Sequence, residues 1–154
     1  LAEVMNRTNS LVHDDVDSSG NFITVFVLSF CPSTRRACWV GAGHDPAWFF
    51  PRTGEPCRTL AGRDIPLGVD PRWRFTEAAE TLDGGLLLMG TDGVWEAGAE
   101  GAGMFGKERL LQVVRGSIQS PPQDIAARVF EAVERFTSGG RVEDDRTVVI
   151  ARLA

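Results

Sequence analysis

A chain of 154 residues, 43% hydrophobic and 24% charged, has the size and apolar content of one soluble globular domain with its own core. A net charge of −5 and a pI near 5.0 argue against a nucleic-acid partner, because phosphate backbones are bound by clustered Lys and Arg that this chain lacks. Three cysteines outside any C-x-x-C spacing suggest neither a disulfide framework nor a zinc knuckle, and no apolar run approaches the roughly 18 residues that cross a bilayer; the cytoplasm is the expected compartment.

Leu1, Val4, Met5, Thr8, Leu11 and Val12 recur at three- and four-residue spacing, one face of a short amphipathic helix that is expected to end in the acidic turn 14–20. Residues 22–30, FITVFVLSF, are apolar on both alternating faces and predict a strand buried on both sides. A turn at 32–35 leads to a second strand at 37–40, and Cys31 and Cys38 flank that turn where a hairpin could set them face to face. Gly41-Ala42-Gly43-His44 interrupts the run, and residues 47–50 resume it. Shorter extended pieces are expected at 65–69 and 73–79, and a buried strand at 86–89 runs into Gly90-Thr91-Asp92-Gly93.

From there the period changes from two to 3.6. Leu110, Leu111 and Val114 mark a helix over 106–115, and Ser120-Pro121-Pro122-Gln123 announces another with the stripe Ile125, Val129, Val133 and Phe136, stopped at Gly139-Gly140. A last strand spans 147–153. Strands, then a helical pair, then one returning strand is an α+β order: antiparallel sheet with helices packed outside it, in one domain.

Acidic residues at strand ends are where chemistry is expected. Asp92 follows the 86–89 strand and precedes Gly93, which admits a sharp turn; Asp144 and Asp145 sit immediately before the last strand. Carboxylates supplied from separate strand ends suit a hard divalent cation, Mg²⁺ or Mn²⁺. Asp15-x-Asp17-x-Ser19-Gly20 imitates half of a calcium loop, but its twelfth position, where a bidentate Glu belongs, is Phe26 within a strand. His13 reads as a surface residue.

Asn6, FITVFV, Gly41-Ala42-Gly43-His44-Asp45-Pro46, Pro66-Leu67-Gly68-Val69, the segment from Leu86 through Gly90-Thr91-Asp92-Gly93-Val94-Trp95-Glu96, Phe105-Gly106 and Asp144-Asp145-Arg146-Thr147 occur in one order along nearly the whole chain. This series resembles the stage II sporulation E (SpoIIE-like) branch of the PPM-type metal-dependent protein serine/threonine phosphatases. The resemblance implies an αββα sandwich of two antiparallel sheets flanked by helices, and two Mn²⁺ or Mg²⁺ ions. It makes Asp92 one metal ligand and Asp144 another, with Asp145 in reserve. It places His44 in a Gly-His-x-Pro turn, where an imidazole could protonate a leaving serine oxygen or orient a carboxylate, although a turn-fixing role is the preferred reading. Thr147 reads as a strand-starting hydroxyl.

The implied activity is hydrolysis of phosphoserine or phosphothreonine by a metal-activated water, on a phosphorylated protein such as an anti-sigma-factor antagonist in partner-switching signalling. The family's upstream Gly-Asp-x-x-Gly-His-Gly stretch has no counterpart before Phe22, and the chain opens at Leu1, without an initiator Met, inside a helical pattern. Residues 1–154 are therefore expected to be a partial phosphatase domain, incomplete at its N-terminus, holding at most one weakly bound metal and prone to self-association through an open strand edge. The alternative reading is an inactive pseudophosphatase that binds a regulatory partner.

Overall fold

The computed structural model describes residues 1–99, 103–137 and 144–153. Helix α1 (Ala2–Ser19) is followed by strands β1 (Val25–Cys31), β2 (Arg36–Ala42), β3 (Ala47–Pro51), β4 (Arg58–Leu60), β5 (Ala78–Thr81) and β6 (Gly85–Gly90). After a single 3-10 turn come β7 (Gly98–Ala99), β8 (Gly103–Met104), helices α2 (Lys107–Gly116) and α3 (Pro122–Thr137), and β9 (Val148–Leu153). The main strands make two sheets, in the orders β1-β2-β5 and β4-β3-β6-β9, while β7 and β8 form a small antiparallel ribbon. Antiparallel sheets with flanking helices are the architecture that the element order predicts. The chain divides into two compact units, Leu1–Gly85 with Leu153, and Leu86–Arg152.

In the first unit, α1 runs through the acidic stretch that the sequence suggested as a turn. The reason is Val16, 7% exposed and packed so closely on Gly68 that a Cβ there would lie 2.2 Å from its Cγ1; Asp14 and Asp15, just before it, face solvent. The buried stripe also differs from the apolar pattern. Met5 packs with Val40, Ala42, Leu67 and Phe75, but Val4 and Leu11 are 62% and 80% exposed, and Asn9 lies inside the stripe at 1%.

Asn9 is buried because both ends of its amide are bonded. Its Nδ2 donates to the Asp70 carbonyl at 2.8 Å, and its Oδ1 accepts from the Gly68 amide at 2.9 Å. Asn6 Oδ1 accepts from the Phe75 amide, and His13, half-buried rather than on the surface, donates from Nδ1 to the Gly68 carbonyl. These bonds explain why 65–69 and most of 73–79 are not strands: much of their backbone bonding goes to helix side chains, and the pairing of Ile23 with Leu67 is an isolated bridge.

Strand β1 starts three residues later than expected and is half-buried, because it lies at a sheet edge with one neighbour, β2. Phe22 and Ile23 stay outside it, exposed. Its register sets Ser29 opposite Cys38 and Cys31 opposite Arg36, so the two cysteines do not face each other and both remain thiols. Strand β4 is too short to show a period in the sequence; it pairs with β3 through Trp48 and Thr59.

In the second unit, Leu86, Leu87 and Leu88 of β6 are all at most 2% exposed. Ile125, Val129 and Val133 of α3 are fully buried, each burial stabilising by about 1.5–3 kcal/mol. Phe136 is half-buried, edge-to-face with Phe105 at 5.7 Å and beneath the Arg109 guanidinium. The glycine stop expected at Gly139-Gly140 lies outside the described residues. Arg152 of β9 donates to the Ile118 and Ser120 carbonyls, both at 2.8 Å, and so anchors the loop between α2 and α3.

Candidate active site

Gly90-Thr91-Asp92-Gly93 carries the chain from buried β6 into the 3-10 turn Asp92–Val94. The Thr91 amide donates to the Thr147 carbonyl at 3.0 Å. Its hydroxyl accepts from the Thr147 amide at 2.9 Å and donates to the Asp145 carbonyl at 3.1 Å. One threonine thus ties the exit of β6 to the entry of β9 by three bonds.

The flanking glycines make that approach possible. A Cβ on Gly93 would lie 2.4 Å from the Asp145 carbonyl oxygen, and one on Gly90 would lie 2.9 Å from that of Thr147, so the facing backbone fills the space a side chain would need. Asp144 follows the same line, its Cβ 3.4 Å from the position a Gly93 Cβ would take. Asp92 and Asp144, 52 positions apart in sequence, are thereby brought onto adjoining turns, both exposed, with Asp145 exposed beside them.

Each of the two carboxylates is oriented by its own turn. Asp92 Oδ1 accepts from the Gly93 amide at 3.0 Å, and Asp144 Oδ1 from the Asp145 amide at 2.8 Å. Such bonds fix a carboxylate's direction, and among the described residues the second oxygen of each has no partner. The donors match a hard divalent cation in kind. In number they supply part of a shell, for among the described residues no three His, Cys, Asp or Glu side chains converge.

The other sequence candidates behave differently. His44 belongs to the first unit, where its Nδ1 donates to the carbonyl of Asp45 at 2.9 Å. Thr147 contributes its backbone to the clamp rather than its hydroxyl. The half-matched calcium loop is excluded as a loop, since positions 15–19 are helical. Thr91 does not stand out in the sequence; the signal it offers is a hydroxyl enclosed by two glycines. Beside the turn lies a cavity of about 270 Å³ lined by Gly93, Glu96, Met104, Asp144 and Arg146 among others.

Comparison with known proteins bears on the family and the fold. A family model described as Stage II sporulation protein E (SpoIIE) matches residues 1–154. The phosphoserine phosphatase RsbU of Bacillus subtilis is 21% identical over 152 residues, which are 98% of this chain and 44% of RsbU, so the chain spans less than half of that relative. The solved SiaA-PP2C domain of Pseudomonas aeruginosa matches with a TM-score of 0.85 at 17% identity, covering 99% of this chain and 61% of that one. The SpoIIE phosphatase domain of Bacillus subtilis, presoaked with Mn, matches with a TM-score of 0.65 at 24% identity, covering 99% and 64%. At these identities the structural likeness establishes the fold.

Proposed function

Because the chain belongs to the stage II sporulation protein E family, we propose that it acts as part of a metal-dependent protein serine/threonine phosphatase. The observation that supports this most is the Thr91 clamp, which holds Asp92 and Asp144 on adjoining turns with their second oxygens uncommitted among the described residues. Asp92 and Asp144 would hold Mn²⁺ or Mg²⁺, with Asp145 as the reserve donor. When bound, such cations supply charge against the phosphoryl oxygens and a water acidic enough to attack phosphorus.

The protein's own contribution is positional. Thr91, Gly90 and Gly93 fix the backbone on which the carboxylates stand, so little reorganisation is needed when a ligand arrives. No covalent phospho-enzyme is required, and Cys31, Cys38 and Cys57 have no part in the reaction. His44 is assigned to its turn. The substrate class is a phosphoserine or phosphothreonine on a regulatory protein, of the kind an anti-sigma-factor antagonist presents; the phosphoserine phosphatase RsbU, similar along 98% of this chain, supports that choice.

The test is phosphate release from a phosphoserine peptide by the full-length protein supplied with Mn²⁺. Release that disappears with chelator and with Asp92→Asn agrees with the proposal. Binding of the peptide without any release identifies a non-hydrolysing regulatory module instead.

A further inference from the structure

Arg146 stands in sequence between Asp144-Asp145 and Thr147, and its side chain lines the cavity beside the turn. Its Nε is buried from water and has no hydrogen-bond partner among the described residues. Leaving a buried donor unpaired is costly, more so for a charged group. Glu96 and Asp144 line the same cavity, yet none of the ion pairs among the described residues involves Arg146.

Charge gives this arrangement a purpose. Asp92, Asp144 and Asp145 put negative charge on two adjoining turns, which repels an arriving phosphate monoester. Among the described residues that line the cavity Arg146 is the single cation. Its planar fork matches two phosphoryl oxygens at once, which a lysine cannot do.

We propose that Arg146 is a substrate-binding residue whose guanidinium takes the phosphoryl group of a phosphate monoester in the cavity bounded by Gly93, Glu96 and Asp144. The ligand rests on the phosphatase reading; the unpaired donor and the cavity do not. Arg146 binds and aligns the phosphoryl group, and the candidate metal ligands remain Asp92 and Asp144.

Inorganic phosphate and a phosphoserine peptide are titrated separately, by calorimetry, into the full-length Mn²⁺-loaded protein and into Arg146→Gln and Arg146→Lys. Arg146→Gln is expected to weaken both ligands about tenfold, and Arg146→Lys about threefold, with Mn²⁺ affinity unchanged. Where peptide turnover is measurable, KM rises about tenfold in Arg146→Gln while kcat stays within about threefold. Phosphate affinity in Arg146→Gln within about twofold of wild type overturns the proposal, as does a wild type that binds no phosphate. Should Arg146→Gln not fold, Arg146→Lys decides, and wild-type phosphate affinity in that variant overturns the fork. A wild type that binds phosphate through Arg146 but never hydrolyses the peptide breaks the enzymatic reading and leaves this one standing. A wild type that hydrolyses it, with Arg146→Gln equal in phosphate affinity and KM, breaks only this one.

Discussion

Two segments of this molecule lack a regular strand partner along their length, and they are held in opposite ways. Residues 67–75 are pinned by side chains of α1: Asn6, Asn9 and His13 reach across and take up backbone groups, with Asn9 fully enclosed. The turn at 90–93 is pinned by backbone against backbone, with two glycines and one hydroxyl making the join and the acidic side chains left in solvent. Where side chains serve as ties they are consumed, and the region is structural. Where the backbone ties itself, the side chains stay available for a ligand.

The sharpest way to break this contrast is Asp92→Asn in the full-length protein. Phosphatase activity should fall by about 10²-fold or more, while the midpoint of thermal unfolding stays level or rises because one of the like charges on the two adjoining turns is removed. Activity within about threefold of wild type excludes Asp92 as a ligand. The mirror-image change is Asn9→Leu, which leaves the Gly68 amide without its acceptor and the Asp70 carbonyl with only the Trp73 amide as donor. Denaturant unfolding should show a loss of about 1–3 kcal/mol, with activity per folded molecule unchanged. A loss under about 0.5 kcal/mol means that the amide does not hold the segment.

Thr91→Val sits between these two. The shape survives but the hydroxyl bonds to Asp145 and Thr147 are lost, so both readouts should move moderately: about 1–2 kcal/mol in stability and about tenfold in activity, with Thr91→Ser near wild type. An effect on stability alone makes the clamp purely structural. The smallest expected effect concerns Cys31, an exposed thiol in the first unit. Hydrogen bonds from the Ser33 hydroxyl, and then from Thr34, lower its pKa to about 7. Because the thiolate is the favoured form, alkylation should reach half its maximal rate near pH 7, and Ser33→Ala should move that midpoint upward. An unmoved midpoint removes Ser33 as the cause.

The same contrast decides what the sequence could disclose. A continuous apolar run located β6, and spaced apolar residues located α2, α3 and β9, because their burial is carried by apolar side chains. Asn9 and His13 were illegible, since a scan for apolar residues discards polar ones, and their partners lie 55 to 61 positions away. At the site, Asp92, Asp144 and Asp145 stood out as acids flanking apolar strands. Thr91 and Arg146 did not: the first acts through residues 54 and 56 positions on, and the second through a cavity that only the fold creates.

The ties of α1 also set a timetable. The helix is made first, but its anchors at Gly68, Asp70 and Phe75 come 55 to 69 residues later. At about 5–20 residues per second, the ribosome takes on the order of several seconds to supply them. Throughout that wait the flank carrying Met5 and Val12 lacks the later of its partners Val40, Leu67 and Phe75. Asn9, in the middle of that flank, keeps its amide in water meanwhile, so the nascent helix offers chaperones and neighbouring chains an interrupted apolar surface.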